Sequence, residues 1–329
     1  MVHRKQSLAG AHPQRGISRL LPKTIRRRGE CELRILVTGA GGMVGKAVSE
    51  FCRLNGDEVF SYDHAHLDIG SSELVSSTIK RVNPDVVINC AAWTDVDGCE
   101  SDRARAFAAN ARGPENLAKA GHEIDAKLIT ISTDYVFDGR KQGFYTQADE
   151  PSPESVYGVA KLEGEKLALA ANPKTIVVRT GFVFGAGGKN FLSTIIDRAK
   201  SGAKLKAISD AYGTPTYASD LAVRLRELAE ADFGQVVKLE LPKIFHVVNS
   251  GPGVSYEEFA RAALELSGFA SLPLETVAMN SLNRPAPRPQ NSRLKCLVSP
   301  AIGLEPLRSW REALRAFAAL ETHVQGVSP

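Results

Sequence analysis

No uninterrupted apolar run in this 329-residue sequence approaches the roughly 20 residues of a membrane span, so no transmembrane helix is expected. Cysteine is scarce and unpatterned: Cys31, Cys52, Cys90, Cys99 and Cys296 are scattered, with no CxxC pair. That odd set argues against a disulfide framework or zinc site and for a reducing cytoplasm. Acidic residues are missing from positions 1–29, where Arg4, Lys5, Arg15, Arg19, Lys23, Arg26, Arg27 and Arg28 stand. Subtracting those eight charges from the net +4 leaves −4 for the rest, so a mildly acidic body carries a basic tail. The tail's "TIRRRGE" could act as a nucleic-acid or targeting patch. Residues 1–32 read more simply as a disordered extension or an early translation start, and no nucleic-acid or membrane partner is expected. Internal repeats and low-complexity arrays are also lacking.

What the body does contain is alternation. The segments 33–38, 58–63, 85–92, 127–133 and 175–180 are short β-branched runs that read as strands. Helical patterns lie between them at 71–82, at 104–121 and in the segment that carries Tyr157. Continuous apolar strands alternating with helices imply a parallel sheet covered on both faces. After Thr180 the rhythm breaks at Gly185, Gly187 and Gly188, and the segment 283–294, "NRPAPRPQNSRL", is rich in proline. A helix at 217–230 and a strand at 244–249 could return to the main sheet.

The first strand runs straight into "VTGAGGMVGKAV", which spaces Gly39, Gly42 and Gly45 as GxxGxxG. Between a strand and a helix, such glycines let a tight turn bring main-chain N–H groups to a pyrophosphate at the helix N-terminus. Asp63, at the end of the second strand, stands where an acid hydrogen-bonds the adenosine ribose and favours NADH. The imidazole of His64 beside it pulls toward NADPH. Asp68 and Ile69 would reach the adenine rim. The expected architecture is therefore α/β: a Rossmann-type doubly wound parallel sheet, with a smaller C-terminal α/β lobe for substrate. Its boundaries are 33–181 plus about 216–250 for the dinucleotide-binding domain, and about 182–215 with 251–329 for the lobe.

In "SVYGVAK", Tyr157 and Lys161 are four residues apart and so share one helical face. An ammonium nearby would lower the phenol's pKa toward neutrality, fitting it to exchange a proton with a carbonyl or alcohol oxygen. Lys161 could also hold a nicotinamide ribose. Ser132 and Thr133, at the end of the preceding strand, offer a hydroxyl to support Tyr157.

These motifs resemble the extended short-chain dehydrogenase/reductase superfamily. Within it, "STDYVFDG", "RTGFVFG", "ISDAYGTPT" and "RPQNSRL" resemble the dTDP-4-dehydrorhamnose reductase family from about residue 33 to the C-terminus. The resemblance implies NADPH- or NADH-dependent reduction of the C4 ketone of a dTDP-linked 6-deoxy sugar. Tyr157 would be the proton donor, Lys161 its partner and Thr133 the supporting hydroxyl. Gly42, Met43 and Val44 would line the pyrophosphate turn, and Ala92, Trp93 and Thr94 the nicotinamide side. Asp134 would touch the sugar with Thr133. Phe182 would pack on substrate where tryptophan is usual, keeping a stacking face without the indole N–H. Arg288 or Arg293 would meet the substrate diphosphate, because guanidinium forks suit phosphate oxygens, with Asn190 and Asn291 in the same pocket. Some relatives hold magnesium between subunits through acidic residues. Those positions are not matched here, so no metal is placed; a homodimer remains open, since no interface stripe stands apart from the core pattern.

Two alternatives stay in view. Sugar dehydratases of this superfamily carry an Asp–Glu pair after the strand-end threonine, whereas here Asp134 is followed by Tyr135. That counts against dehydration and leaves epimerisation open. The β subunit of methionine adenosyltransferase, similar to these reductases, acts chiefly as a partner-binding protein; an intact Thr133, Tyr157 and Lys161 set favours catalysis.

Overall fold

The computed structural model describes residues 32–231 and 242–325. The basic tail and Cys31 lie outside the described residues. Six strands form one all-parallel sheet: β1 (Arg34–Thr38), β2 (Glu58–Tyr62), β3 (Val86–Asn89), β4 (Lys127–Thr133), β5 (Thr175–Thr180) and, much later in the chain, a strand at Ile244–His246. Across the sheet the order is β2, β1, β3, β4, β5 and then Ile244–His246. The order reverses between β1 and β3, and in open α/β sheets the crevice at such a reversal receives the ligand.

Strand alternation explains the two cores. Ile35 and Val37 point to one face, where they meet Val48 and Cys52 of helix α1 (Met43–Leu54) and Leu221, Leu225 and Leu228 of the helix Ala218–Glu230. Leu36 points the other way, against Val75 and Ile79 of α2 (Ser72–Val82) and Leu117 of the helix Gly113–Glu123. With a period of two, one strand feeds both layers. The Asp57–Arg226 ion pair, buried on both sides, ties the approach to β2 to the helix Ala218–Glu230.

Two expectations need correction. The strand expected over 85–92 stops at Asn89, because the Asn89 side chain takes over as the ladder ends. Its Oδ1 accepts from Thr38 Oγ1 (2.6 Å) and the Ala91 N–H (3.1 Å), and its Nδ2 donates to Thr130 Oγ1 (3.0 Å). The single helix expected over 104–121 is three pieces: Arg103–Phe107, a π-helical turn Ala108–Arg112, and Gly113–Glu123. The extra residue in that turn swings Asn110 inward, where it clamps both main-chain groups of Trp93 (2.9 and 3.0 Å).

Beyond Thr180 the chain forms short pairs instead of a continuous sheet. Leu205–Ile208 pairs in parallel with Leu274–Val277, Tyr212–Gly213 antiparallel with Val254–Ser255, and Val183–Phe184 in parallel with Thr216–Tyr217. Phe184, Tyr217, Phe259, Trp310 and Phe317 form an aromatic core among the helices Phe191–Lys200, Tyr256–Leu266 and Trp310–Gln325. The segment 283–294 lies across loops that follow β3 and β4: Arg288 meets Asp97, Pro289 crowds Gly139, and Asn291 binds the carbonyls of Lys141 and Gly143.

Candidate active site

The turn after β1 is kept bare by geometry. Gly39 adopts φ +66°, and a Cβ there would lie 2.6 Å from the Ala91 nitrogen. A Cβ on Gly45 would lie 2.2 Å from the Gly39 carbonyl oxygen. Gly42 caps α1 with no side chain over its first amides, so those N–H groups face outward from the sheet's switch point. This cradle fits a dinucleotide pyrophosphate: nothing but hydrogen can occupy Gly39 and Gly45, and no side chain shields the amides. Asn190 reaches the same turn. It caps the helix Phe191–Lys200 and sends Nδ2 to the Gly185 and Gly188 carbonyls and the Met43 sulfur, so it braces the glycine turn.

At the tip of β2, the Asp63 carboxylate receives His66 Nδ1 at 2.6 Å, and that hydrogen bond first among its neighbours holds its pKa down. The histidine in contact is thus His66, where the sequence suggested His64. Asp68 is exposed and accepts from the Gly70 N–H at 2.9 Å. Ile69 is buried against Gly113, so its side chain belongs to the core, and its carbonyl accepts from Asn116 Nδ2 at 3.0 Å. Ala92 and Thr94 are exposed on either side of the clamped Trp93.

Tyr157 and Lys161 both face inward from the helix Val156–Ala171, which Ser155 starts by accepting the Gly158 N–H. Burial lifts the Tyr157 phenol above its ordinary value; the nearby Thr133 hydroxyl works the other way. Lys161, also buried, is pushed down to about 8 by desolvation and gives its ammonium to the Ile131 carbonyl at 2.7 Å. Lys161 is not among the groups that shift the phenol, and burial favours its protonated form, the form a ketone reduction consumes.

Of the two candidate hydroxyls, Thr133 is the one beside Tyr157. Ser132 turns to the other side and donates to Glu165, whose carboxylate Arg179 grips through Nε (3.0 Å) and Nη2 (2.6 Å). The Thr133 Oγ1 also donates to Asp134 at 3.1 Å. Asp134 is buried, and desolvation raises its carboxyl to about 6 against the opposing influence of the Ser292 and Thr133 hydroxyls.

Beside this group opens a cavity of about 150 Å³, walled in part by Tyr135, Tyr212, Tyr256, Arg284, Arg288 and Ser292. Tyr135 stands edge-on to Tyr157, ring centres 5.7 Å apart. Phe182, with φ +49°, packs on Tyr256 at 4.3 Å and on Phe191, both cavity residues. Arg288 lines the cavity but is held by Asp97. Arg293 does not line it, and instead binds Asn291 Oδ1 at 2.7 Å and lies over Tyr212. Asn291 is likewise occupied with backbone carbonyls. Sequence reasoning missed Arg284, which lines the cavity and makes no hydrogen bond or ion pair among the described residues, and it missed Asn110. An arginine in a proline-rich loop carries no signal of its own, and Asn110 is visible only through the π-helical turn. Among the described residues no group of three or more His, Cys, Asp or Glu side chains could hold a metal ion.

The family model described as the RmlD substrate binding domain matches residues 33–322. The chain belongs to this family. It is 39% identical over 284 residues to dTDP-4-dehydrorhamnose reductase of Mycolicibacterium smegmatis, covering 86% of this chain and 84% of that one. With the Streptomyces griseus enzyme of the same name it shares 38% over 289 residues, 87% and 94% of the two chains. Among solved structures, a dTDP-4-dehydrorhamnose reductase from Bacillus anthracis in complex with NADP superposes with a TM-score of 0.82 at 31% identity, covering 88% of this chain and all of that one. The Clostridium acetobutylicum ortholog gives 0.80 at 36%, covering 88% and 99%. A UDP-glucose 4-epimerase from Thermus thermophilus, at 20% identity and a TM-score of 0.74, shares the fold. The match begins at Leu33, one residue into the described part of the chain. No helix among the described residues is long and apolar enough to cross a membrane.

Proposed function

We propose that this member of the RmlD family reduces the C4 ketone of dTDP-4-dehydro-β-L-rhamnose to dTDP-β-L-rhamnose, with NAD(P)H as reductant. The observation that carries the reading is the buried Tyr157 beside Thr133, with its ring edge-on to Tyr135, which lines the cavity. The six-stranded part would hold the cofactor, and the residues after Thr180 would close over the substrate.

The cofactor's place would be the bare turn Gly39–Gly45 with Met43 and Val44, then Asp63, Asp68 and the Ile69 backbone toward adenosine, and Ala92–Thr94 toward nicotinamide. When bound, reduced nicotinamide supplies the hydride. The chain's own part is positioning and proton delivery. Thr133 and Tyr157 orient the ketone oxygen, and Tyr157 gives its proton as negative charge builds there. Lys161 offers a cation close to that charge, and Asn110 fixes the Trp93 backbone at the cofactor side. Phe182 with Tyr256 presents an aromatic wall, and Arg284 is the cavity guanidinium free to meet the diphosphate. Arg288 reaches it only by leaving Asp97. The NADP bound to the B. anthracis relative and the His66 that covers Asp63 favour NADPH over NADH here.

Steady-state oxidation of each cofactor, followed at its near-ultraviolet absorbance with the dTDP-keto sugar, tests the reading. Turnover that depends on the sugar supports it; absence of turnover with either cofactor overturns it and favours a partner-binding role.

A further inference from the structure

We propose that Glu165, gripped by Ser132 and Arg179, is a positioning residue that fixes the height of the helix Val156–Ala171, so that Tyr157 and Lys161 stand level with the carboxyl end of β4. The inference rests on the reductase reading and adds to it the groups that hold the two reacting side chains in place.

Residues 157, 161 and 165 follow one another at four-residue steps, so their side chains form one line along the helix. Side chains on a helix lean toward its N-terminus, so Glu165 reaches along that line toward the end of β4. There Ser132 Oγ donates to Oε1, and Arg179 donates from Nε to Oε1 at 3.0 Å and from Nη2 to Oε2 at 2.6 Å. Ser132 and Arg179 are register partners on β4 and β5, so one carboxylate spans both strands one residue short of Thr133. One turn along the same line, Lys161 gives its ammonium to the Ile131 carbonyl at 2.7 Å.

Two other close contacts of the helix are made by glycine. A Cβ on Gly158 would lie 2.3 Å from the Tyr135 carbonyl oxygen, and one on Gly164 2.1 Å from that of Asn110. Bare backbone lets the helix approach its neighbours but interlocks with nothing along its axis. Lateral seating and axial height therefore have separate causes, and the carboxylate supplies the second.

Stability alone does not account for this arrangement. Glu165, Arg179 and Ser132 are each at most 4% exposed. Removing such an ion pair from water costs about what the pair returns, and apolar side chains of similar volume often replace one without loss of stability. Apolar groups cannot supply direction, whereas a guanidinium fork accepts a carboxylate in one orientation. The other side of Arg179 is closed too: its guanidinium lies over the Phe137 ring at 5.2 Å, and Phe137 stacks on Tyr145 at 4.3 Å. His246, its register partner on the last strand, turns Nδ1 to the Tyr145 and Lys295 carbonyls. Among the described residues Glu165 is the only acid paired with Arg179. A helix that slid along its axis would carry Tyr157 past Thr133, and misplacing a reacting group by about 1 Å can cost on the order of 10²-fold in rate.

The decisive variant replaces the clamp with apolar groups, Glu165→Leu together with Arg179→Met, which leaves no buried charge unpaired. Its melting temperature should not fall. Its kcat should drop by about 10–100-fold, while KM for the keto sugar and NADPH affinity, read by fluorescence quenching, hold. In the cofactor-free variant, amide hydrogen exchange over Tyr157–Glu165 should quicken although the melt does not move. Ser132→Ala removes one hydrogen bond and no charge; it should lower kcat alone and by less, and Ser132→Thr should recover most of that loss. This second pair decides the matter where the double variant does not fold. Wild-type kcat in a stable double variant or in Ser132→Ala, unchanged exchange over the helix, or a kcat loss that only tracks lost fold or lost cofactor affinity overturns the clamp. A wild-type chain that oxidises no cofactor with the keto sugar removes the reductase reading, and the clamp with it.

Discussion

The Arg288 guanidinium holds the Asp97 carboxylate with two hydrogen bonds, Nη1 to Oδ1 at 2.5 Å and Nη2 to Oδ2 at 2.8 Å. This pair joins the helix Val96–Ser101 that follows β3 to a loop some 190 residues later, and the Ala286 N–H adds a third bond to the same carboxylate. The arginine first among its neighbours holds Asp97 down at about 2. A depressed folded-state value contributes stability above the unfolded value of about 4, lost as pH falls toward 2. Asp97→Asn should therefore flatten the acid limb of a stability–pH curve between about pH 4 and pH 2, modestly because the pair is partly exposed. It should also raise KM for the nucleotide sugar several-fold with little change in kcat. Denaturant melts across pH and steady-state kinetics check both.

Tyr157→Phe removes the proton donor and leaves the ring. Turnover should fall by about 10²–10⁴-fold, the usual worth of a positioned general acid. Cofactor affinity, measured by fluorescence quenching, should change little. Turnover within threefold of wild type, as an order of magnitude for no effect, would remove Tyr157 from its proposed role.

Gly39→Ala places a methyl at 2.6 Å from the Ala91 nitrogen in a backbone with φ +66°. Strain of about 1–3 kcal/mol is expected, and the turn must also shift away from its cofactor geometry. A thermal melt should show the stability loss, and titration with NADPH should show binding weakened beyond what partial unfolding explains.

Asp63→Ala should shift cofactor choice. Removing the carboxylate takes away a ribose hydrogen-bond acceptor and a charge that repels a 2′-phosphate. The ratio of kcat/KM for NADPH over NADH should rise by about tenfold, equivalent to roughly 1.4 kcal/mol. His66→Ala should move the same ratio the other way, since the bare carboxylate then faces the phosphate.

Much of this was legible because period and punctuation agreed. The strand–glycine–helix start at Leu33–Gly45, the β-branched strands and the four-residue spacing of Tyr157 and Lys161 are local facts, and the parallel sheet is their only economical arrangement. What stayed hidden is set by contacts between distant segments. The choice of Thr133 over Ser132 depends on Glu165 and Arg179, thirty residues and more away in sequence. The phenol's elevated pKa depends on burial, which a YxxxK spacing does not encode. Arg288 and Arg293 look alike in "RPQNSRL" and its flank, yet their partners, Asp97 and Asn291, give them separate work. The π-helical turn at Ala108–Arg112 is written as an unbroken helical pattern, and only the fit of Gly113 to Ile69 and of Gly164 to the Asn110 carbonyl reveals it.

The late-arriving proline-rich segment also sets an order of events during synthesis. Its anchors at Asp97, Gly139 and Lys141 belong to loops made some 150 residues or more earlier. A nascent chain can raise the five earlier strands while this wall of the cavity is still inside the ribosome, so the cavity is completed only as about the last seventh of the polypeptide emerges and docks.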